Sequence, residues 1–327
     1  MMRLMSPRSF PILFITSTRI GDAVLSSGLI KKLIDEAPGA RFSIVAGPLA
    51  APLFEHVPHL DALIVMEKKR FGGHWWDLWR RVRHREWGLI VDLRGSMIST
   101  FLSRKRRAVH RRGANDTHKV IEAARLLQVQ DDPPPPYLFV DAATRARAAA
   151  LCAGTGPILA LGAGANWVGK VWPIERFAEV ANRLLAPDGP LAGGRLMLLG
   201  GPDDVRTLED LGRLVPKERL IDLVGQVDLL TAHACLAHAR LFIGNDSGLM
   251  HLSAAAGTPT LGLFGPSDDR LYGPWGPNSR ALRGPRSFEQ YKAVDPNLNQ
   301  TIRHMSDLPV SAVMRAATAL LTETSHG

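Results

Sequence analysis

Residues 241–260 read LFIGNDSGLMHLSAAAGTPT, an apolar run that passes through a small polar turn into a small-residue helix. Leu241–Ile243 has the length and continuity of a fully buried strand. It ends at Gly244–Asp246, and a helix begins at Ser247 and Gly248 and runs to Ala256, with Gly257 and Pro259 closing it. A strand that feeds directly into a helix is half of a βαβ unit. The helix start carries unpaired backbone N–H groups and the positive end of the dipole, an anion site suited to a diphosphate. Gly248 and Ala254–Ala256 permit close backbone approach, and His251, four residues after Ser247, shares its face. A capped helix packed on a sheet, with His251 a hydrogen-bonded structural histidine, fits the same letters.

The rhythm extends in both directions. In the second half, strands are predicted at Ile158–Leu161, Arg195–Leu199, Leu220–Leu223 and Thr260–Phe264, and helices at Ala142–Cys152, Ile174–Leu185, Asp203–Leu214 and Asp228–Ala237. Residues 265–308 are rich in Gly and Pro and read as loops before a last helix at Val310–Thr322. In the first half, strands fall at Phe10–Ile15, Arg41–Ala46, Ala62–Met66, Leu89–Leu93 and Ala108–Arg111. Helices fall at Asp22–Glu36, Pro48–His56, Trp75–Arg85, Ser96–Leu102 and His118–Val129. Pro133 to Pro136 interrupt the pattern as a stiff extended connector. The expected organisation is α/β: residues 1–140 form one Rossmann-like doubly wound domain and 141–308 a second, with a cleft between them. Residues 309–327 form a C-terminal helix free to pack back on the first domain. Ligands of open α/β sheets bind beyond the carboxyl ends of the strands.

The chain has 327 residues, enough for two domains at ~150 each; 46% are apolar and 22% charged, an ordinary globular composition. No apolar run approaches the ~20 residues that span a bilayer, and MMRLMSPRSFPILFI lacks the features of a signal peptide. Cys152 and Cys235, the two cysteines, are far apart without CxxC spacing, which excludes a disulfide framework or a cysteine zinc site and fits a reducing cytoplasm. Residues 1–136 hold 22 basic and 13 acidic residues and so carry the whole net charge of +9, while 137–327 hold 18 of each. The first half is built to face anions.

Three more stretches could carry chemistry. Thr18-Arg19-Ile20-Gly21-Asp22 follows the first strand, and Asp22 fits either a helix N-cap or a general base at a strand's carboxyl end. Gly164-Ala165-Asn166-Trp167-Val168-Gly169-Lys170-Val171 nearly spells a Walker A loop, but Val171 lacks the hydroxyl that would hold Mg²⁺, so an NTPase is rejected. What remains is a loop carrying Lys170, either solvated or a compact cation for phosphate. Phe264-Gly265-Pro266-Ser267-Asp268-Asp269 with Tyr272–Gly276 suits a nucleotide-base cover or a surface turn. No GxGxxG, HExxH, GxSxG or Asp-x-Asp pair is present, and no metal or cofactor is expected.

RIGD (Arg19–Asp22), GKVWP (Gly169–Pro173), GNDSGLMHLSAAAGTPTLGLFGPSD (Gly244–Asp268) and YGPWG (Tyr272–Gly276) resemble, in order and spacing, the bacterial ADP-heptose:lipopolysaccharide heptosyltransferases, glycosyltransferase family 9. The resemblance covers residues 10–280. It implies a GT-B fold and an inverting, metal-independent transfer of heptose from an ADP-sugar to the lipopolysaccharide inner core. It further implies Asp22 as catalytic base, Lys170 as a donor-phosphate contact, and Asp246, Ser247, Gly248 and His251 around the donor diphosphate. Asp203 or Asp204 would meet the ribose. The acceptor, a phosphorylated lipid-linked oligosaccharide, would meet the basic half, with Arg19, Arg94, Arg104 and Arg106 as candidates. Basic runs at Lys68–Arg70, Arg80–Arg85 and Arg104–Arg107, beside Trp75, Trp76 and Trp79, suit either a solvated face or attachment to an anionic membrane from the cytoplasmic side. Competing functions are a non-catalytic glycolipid- or nucleotide-binding module, a transferase using another nucleotide sugar, and an unspecific nucleic-acid binder. For the last, no recognition signature is found.

Overall fold

Apolar strands alternating with amphipathic helices build two separate parallel sheets. The structure is a computed structural model that describes residues 9–111, 117–298 and 301–325; the opening stretch up to Arg8, read above against a signal peptide, lies outside them. The chain divides into two compact units, Met1–Phe139 and Val140–Gly327.

The first unit contains β1 (Phe10–Ile15), α1 (Ile20–Ser26), α2 (Gly28–Glu36), β2 (Ala40–Ala46), β3 (Leu60–Val65), α3 (Gly73–Val82), β4 (Trp87–Asp92), β5 (Arg104–Val109) and α4 (Lys119–Ala124). Its sheet order is β3-β2-β1-β4-β5, every pair parallel. The helix expected over 22–36 is interrupted at Ser27. There Ser27 Oγ donates to the Val24 carbonyl at 2.7 Å and accepts from Tyr137 N at 2.9 Å. The proline run thus lies against the α1–α2 junction. Expected helices at 48–56 and 96–102 are single 3-10 turns, Ala51–Phe54 and Ile98–Phe101.

The second unit contains α5 (Ala142–Leu151), β6 (Ile158–Gly162), α6 (Ile174–Leu185), β7 (Arg195–Leu198), α7 (Val205–Gly212), β8 (Leu220–Asp222), α8 (Leu229–Leu236) and β9 (Leu241–Asn245). It continues with α9 (Gly248–Ala255), β10 (Thr260–Phe264), α10 (Asp269–Tyr272), β11 (Ser279–Arg283), α11 (Phe288–Val294) and α12 (Val310–Glu323). The order is β11-β10-β9-β6-β7-β8, again all parallel. Helix α6 shows why the sequence folds this way. Phe177, Val180, Ala181 and Leu184 recur at helical spacing and are all fully buried, each large side chain contributing about 1.5–3 kcal/mol of hydrophobic stabilisation.

One expectation needs correction. Residues 265–308 are not all loop: they hold α10, β11 and α11. SRALR (Ser279–Arg283) and RKRRAV (Arg104–Val109) form edge strands; one side of an edge strand needs no apolar partner, and basic residues there discourage pairing with other chains. That is why β5 begins earlier than the expected Ala108. Helix α12 belongs to the second unit. Val313, Ala317, Leu320 and Leu321 are buried in the second unit's core beside Leu261 and Leu263.

Candidate functional site

In an open parallel sheet, the loops on either side of the point where strand order reverses splay apart and leave a crevice. In the second sheet the chain builds β6, β7 and β8 outward in one direction, then β9, β10 and β11 in the other, so the reversal lies between β6 and β9. The two loops leaving those strands carry Lys170 and Asp246–Ser247.

Lys170 Nζ donates to Asp246 Oδ2 at 2.6 Å, joining two residues that lie far apart in the sequence. A buried asparagine clamps the same loop. Asn245 Oδ1 accepts from Trp172 N at 3.1 Å, and Asn245 Nδ2 donates to the Ala163 carbonyl at 2.6 Å. Ser247 occupies the N-cap of α9, yet makes no side-chain cap bond, and its buried Oγ has no hydrogen-bond partner. Ser267, beyond the end of neighbouring β10, has a second buried hydroxyl oxygen without a partner. Buried polar atoms rarely lack partners. Both hydroxyls therefore keep unused hydrogen-bonding capacity. Gly248 opens α9, and His251 is buried one turn in. Sequence reading missed Asn245 and Ser267; the signal for the first was a carboxamide closing a strand of otherwise apolar and glycine residues.

The acidic pair is separated by role. Asp204 Oδ2 accepts from Gly201 N at 2.9 Å and its carboxylate lies over Gly164, the start of the Lys170 loop. Asp203 is exposed. Asp268 caps α10, accepts from Arg270 N at 3.1 Å, and is held below the usual carboxylate range chiefly by the Arg270 guanidinium. Arg283 binds Asp269 and the carbonyls of Gly265 and Ser267, so the loop read as a base cover is braced by an arginine the sequence did not single out.

The first sheet reverses between β1 and β4, where Ile15 pairs with Asp92. The turns after those strands hold Asp22 and Arg94. Asp22 is not the N-cap: Arg19 is, and Asp22 sits within the first turn of α1, where a carboxylate favours the helix dipole. Ser17 Oγ donates to its Oδ2 at 3.3 Å. Asp92 is fully buried and accepts from the amides of Arg94 at 3.0 Å and Ser96 at 2.9 Å; burial pushes its carboxyl above the usual range. It thereby fixes the turn that carries Arg94. The Arg94 guanidinium lies over the Trp75 ring at 5.3 Å, with Nη1 buried and unbonded. Arg19 is exposed in the same region. Arg104 and Arg106 are elsewhere. Their register opposite Trp87 and Leu89 puts them towards the amino ends of the strands, and Arg104 donates to the Leu102 carbonyl at 2.8 Å.

Around α3 the first unit presents apolar side chains to solvent. Phe71 is completely exposed with a left-handed φ of 52°, and Trp76 is 61% exposed. Trp76 stacks on Trp79 at 4.9 Å, and Trp79 Nε1 donates to the Phe101 carbonyl at 3.0 Å, which brings exposed Phe101 alongside. Asp77, Arg80, Arg81, Arg83 and His84 line an open groove of about 420 Å³. Lys69 and Arg85, also counted in the basic runs, are engaged by Asp77 and Asp61 at 2.7 and 2.8 Å. Among the described residues no helix is long and apolar enough to cross a membrane, and no cluster of three or more His, Cys, Asp or Glu could hold a metal ion.

Comparison with known proteins matches residues 114–301 to the profile of glycosyltransferase family 9 (heptosyltransferase). The chain is 26% identical over 313 residues to lipooligosaccharide heptosyltransferase 2 of Haemophilus influenzae, covering 83% of this chain and 88% of that one. A solved glycosyl transferase family 9 protein from Veillonella parvula superposes with a TM-score of 0.79 at 21% identity, covering 98% of this chain and 99% of its own. E. coli ADP-heptose lps heptosyltransferase II superposes at 0.74 and 21% identity, over 97% and 100%. These likenesses give the GT-B fold.

Proposed function

Since the chain belongs to glycosyltransferase family 9 and is a glycosyltransferase, we propose that it moves heptose from ADP-heptose to the inner core of lipopolysaccharide, inverting the anomeric centre without a metal ion. The observation that carries this reading is the Lys170–Asp246 pair at the β6/β9 reversal, beside the uncapped start of α9. A departing diphosphate develops negative charge, and fixed donors aimed at it lower the barrier without reorganising. The ammonium of Lys170, the Ser247 hydroxyl and the first amides of α9 are such donors. The first unit supplies the base: Asp22 takes the proton of the acceptor hydroxyl, and Arg94 and Arg19 bind acceptor phosphate.

Calorimetric titration of ADP, UDP, GDP and CMP tests the donor class. ADP should bind most tightly, and Lys170→Ala should weaken ADP about 10–100-fold, the loss of one charge-assisted hydrogen bond. Equal affinity for all four nucleotides would point to another donor. An unchanged ADP affinity in the variant would remove Lys170 from the phosphate site.

The enzyme in this reading works at the cytoplasmic face of the inner membrane. Phe71 and Trp76 supply apolar anchors and the Arg80–His84 groove supplies charge for anionic headgroups. Vesicles rich in phosphatidylglycerol should float the protein at low salt and release it at high salt. Phosphatidylcholine vesicles should not, and Phe71→Ser with Trp76→Ser should lose flotation. Equal flotation with both lipids, or none at low salt, would refute the attachment.

A further inference from the structure

Cys152 and Cys235, separated by 83 residues, meet in the second unit where α5 ends and α8 completes its last turn. Both thiols are free and buried. The Cys152 thiol donates to the Cys235 carbonyl at 3.8 Å. Beneath them lies Arg195, itself only 7% exposed. Its Nη1 donates to the Ala153 carbonyl at 2.8 Å and its Nη2 to that of Gly154 at 3.4 Å, while its Nε is buried without a partner. A buried guanidinium with a spare donor is a standing positive charge at the end of α5.

The two sulfurs are not equivalent. The Cys152 thiol is drawn below its usual value, first by its contact with Cys235 and then by the Arg195 charge, both acting against burial. The Cys235 thiol is pushed well above it by Cys152 and by burial. Position differs too. Leu151, Ala153, Gly154 and Thr155 are exposed, so Cys152 lies one side chain below the surface, whereas Cys235 is wholly enclosed. Fraying of the last turn of α5 would admit a small oxidant to Cys152.

We propose that Cys152 and Cys235 form a dithiol oxidised by hydrogen peroxide, with Cys152 the attacking thiol and Cys235 the resolving one. The Cys152 thiolate attacks one peroxide oxygen, the O–O bond breaks, and hydroxide leaves to take up a proton as water. Cys152 is then a sulfenic acid. The Cys235 sulfur attacks the Cys152 sulfur, the S–O bond breaks, and the departing hydroxyl leaves as water with the Cys235 proton. In sum, two thiols lose two hydrogens and two electrons, and peroxide gains them to become two waters. The disulfide links α5 to α8, which packs on α9 through the bond between His233 Nδ1 and the Leu252 carbonyl at 3.0 Å. It is a reversible tie within the unit that holds Asp246 and Ser247.

The test uses the native chain and stoichiometric hydrogen peroxide. Its intact mass should fall by two hydrogens, and digestion should yield one peptide joining Cys152 to Cys235. The thermal midpoint should rise by roughly 5–10 °C, because the link closes a long loop in the unfolded chain, and dithiothreitol should reverse it. In Cys235→Ser, dimedone should label residue 152; in Cys152→Ser it should label nothing. Full recovery of both thiols after peroxide, dimedone labelling at Cys235, or a midpoint that falls on oxidation would each overturn the proposal.

Discussion

Turnover is expected to fall about 10²–10⁴-fold when Asp22 becomes Asn, the usual contribution of a positioned general base. Affinity for ADP should stay unchanged. The amide is nearly isosteric and its oxygen can still accept from Ser17 Oγ, which donates to Asp22 at 3.3 Å in the native chain, so the α1 turn keeps its shape. It cannot take a proton from an acceptor hydroxyl. Asp22→Ala should be as inactive. Single-turnover transfer to a lipid-linked core oligosaccharide, with calorimetry of ADP on the same samples, separates chemistry from binding. Full transfer by either variant would exclude Asp22 as the base; loss of ADP binding along with turnover would mean that the substitution damages more than a proton acceptor.

The largest loss of stability is expected from one methyl group at Gly28. A Cβ there would stand 2.2 Å from the Pro135 carbonyl oxygen and 2.5 Å from that of Pro134. Both are backbone atoms of a stiff proline run, and the Tyr137 amide is tied to Ser27 Oγ at 2.9 Å. The obstacle therefore cannot swing aside as a flexible side chain would. Gly28→Ala should cost about 3 kcal/mol, at the upper end for overpacking, and lower the first unit's melting midpoint by roughly 10 °C. Thermal unfolding followed by circular dichroism measures it. A midpoint equal to that of the native chain would mean that the proline run yields after all.

Central strands were readable from the letters because burial on both faces demands unbroken apolar residues. Phe10–Ile15 and Thr260–Phe264 lie where the pattern put them, as does helix Ile174–Leu185. The edge strand β11 was not readable in the same way. SRALR carries the hydrogen bonds of a strand without its hydrophobicity, and only β10 alongside makes it one. Of the expected site residues, Asp22 and Arg94 lie where strand order reverses in one sheet, and Lys170, Asp246 and Ser247 where it reverses in the other. Residues that act by holding others escaped notice. Asn245, Asp92 and Arg283 carry no chemistry that spacing alone reveals; each is held by main-chain groups, Arg283 by the Asp269 carboxylate as well, brought near only by folding. Arg104 and Arg106 were chosen for charge, which says nothing about which end of a strand a residue occupies.

The burial of α12 in the second unit sets an order of events during synthesis. The first sheet has all its strands once Val109 has left the ribosome, and α4 follows soon after. The second cannot seal its interior until Val313, Ala317, Leu320 and Leu321 emerge to meet Leu261 and Leu263. For that interval a nascent chain carries one finished half and one half with an open apolar flank, the kind of surface that holdase chaperones bind.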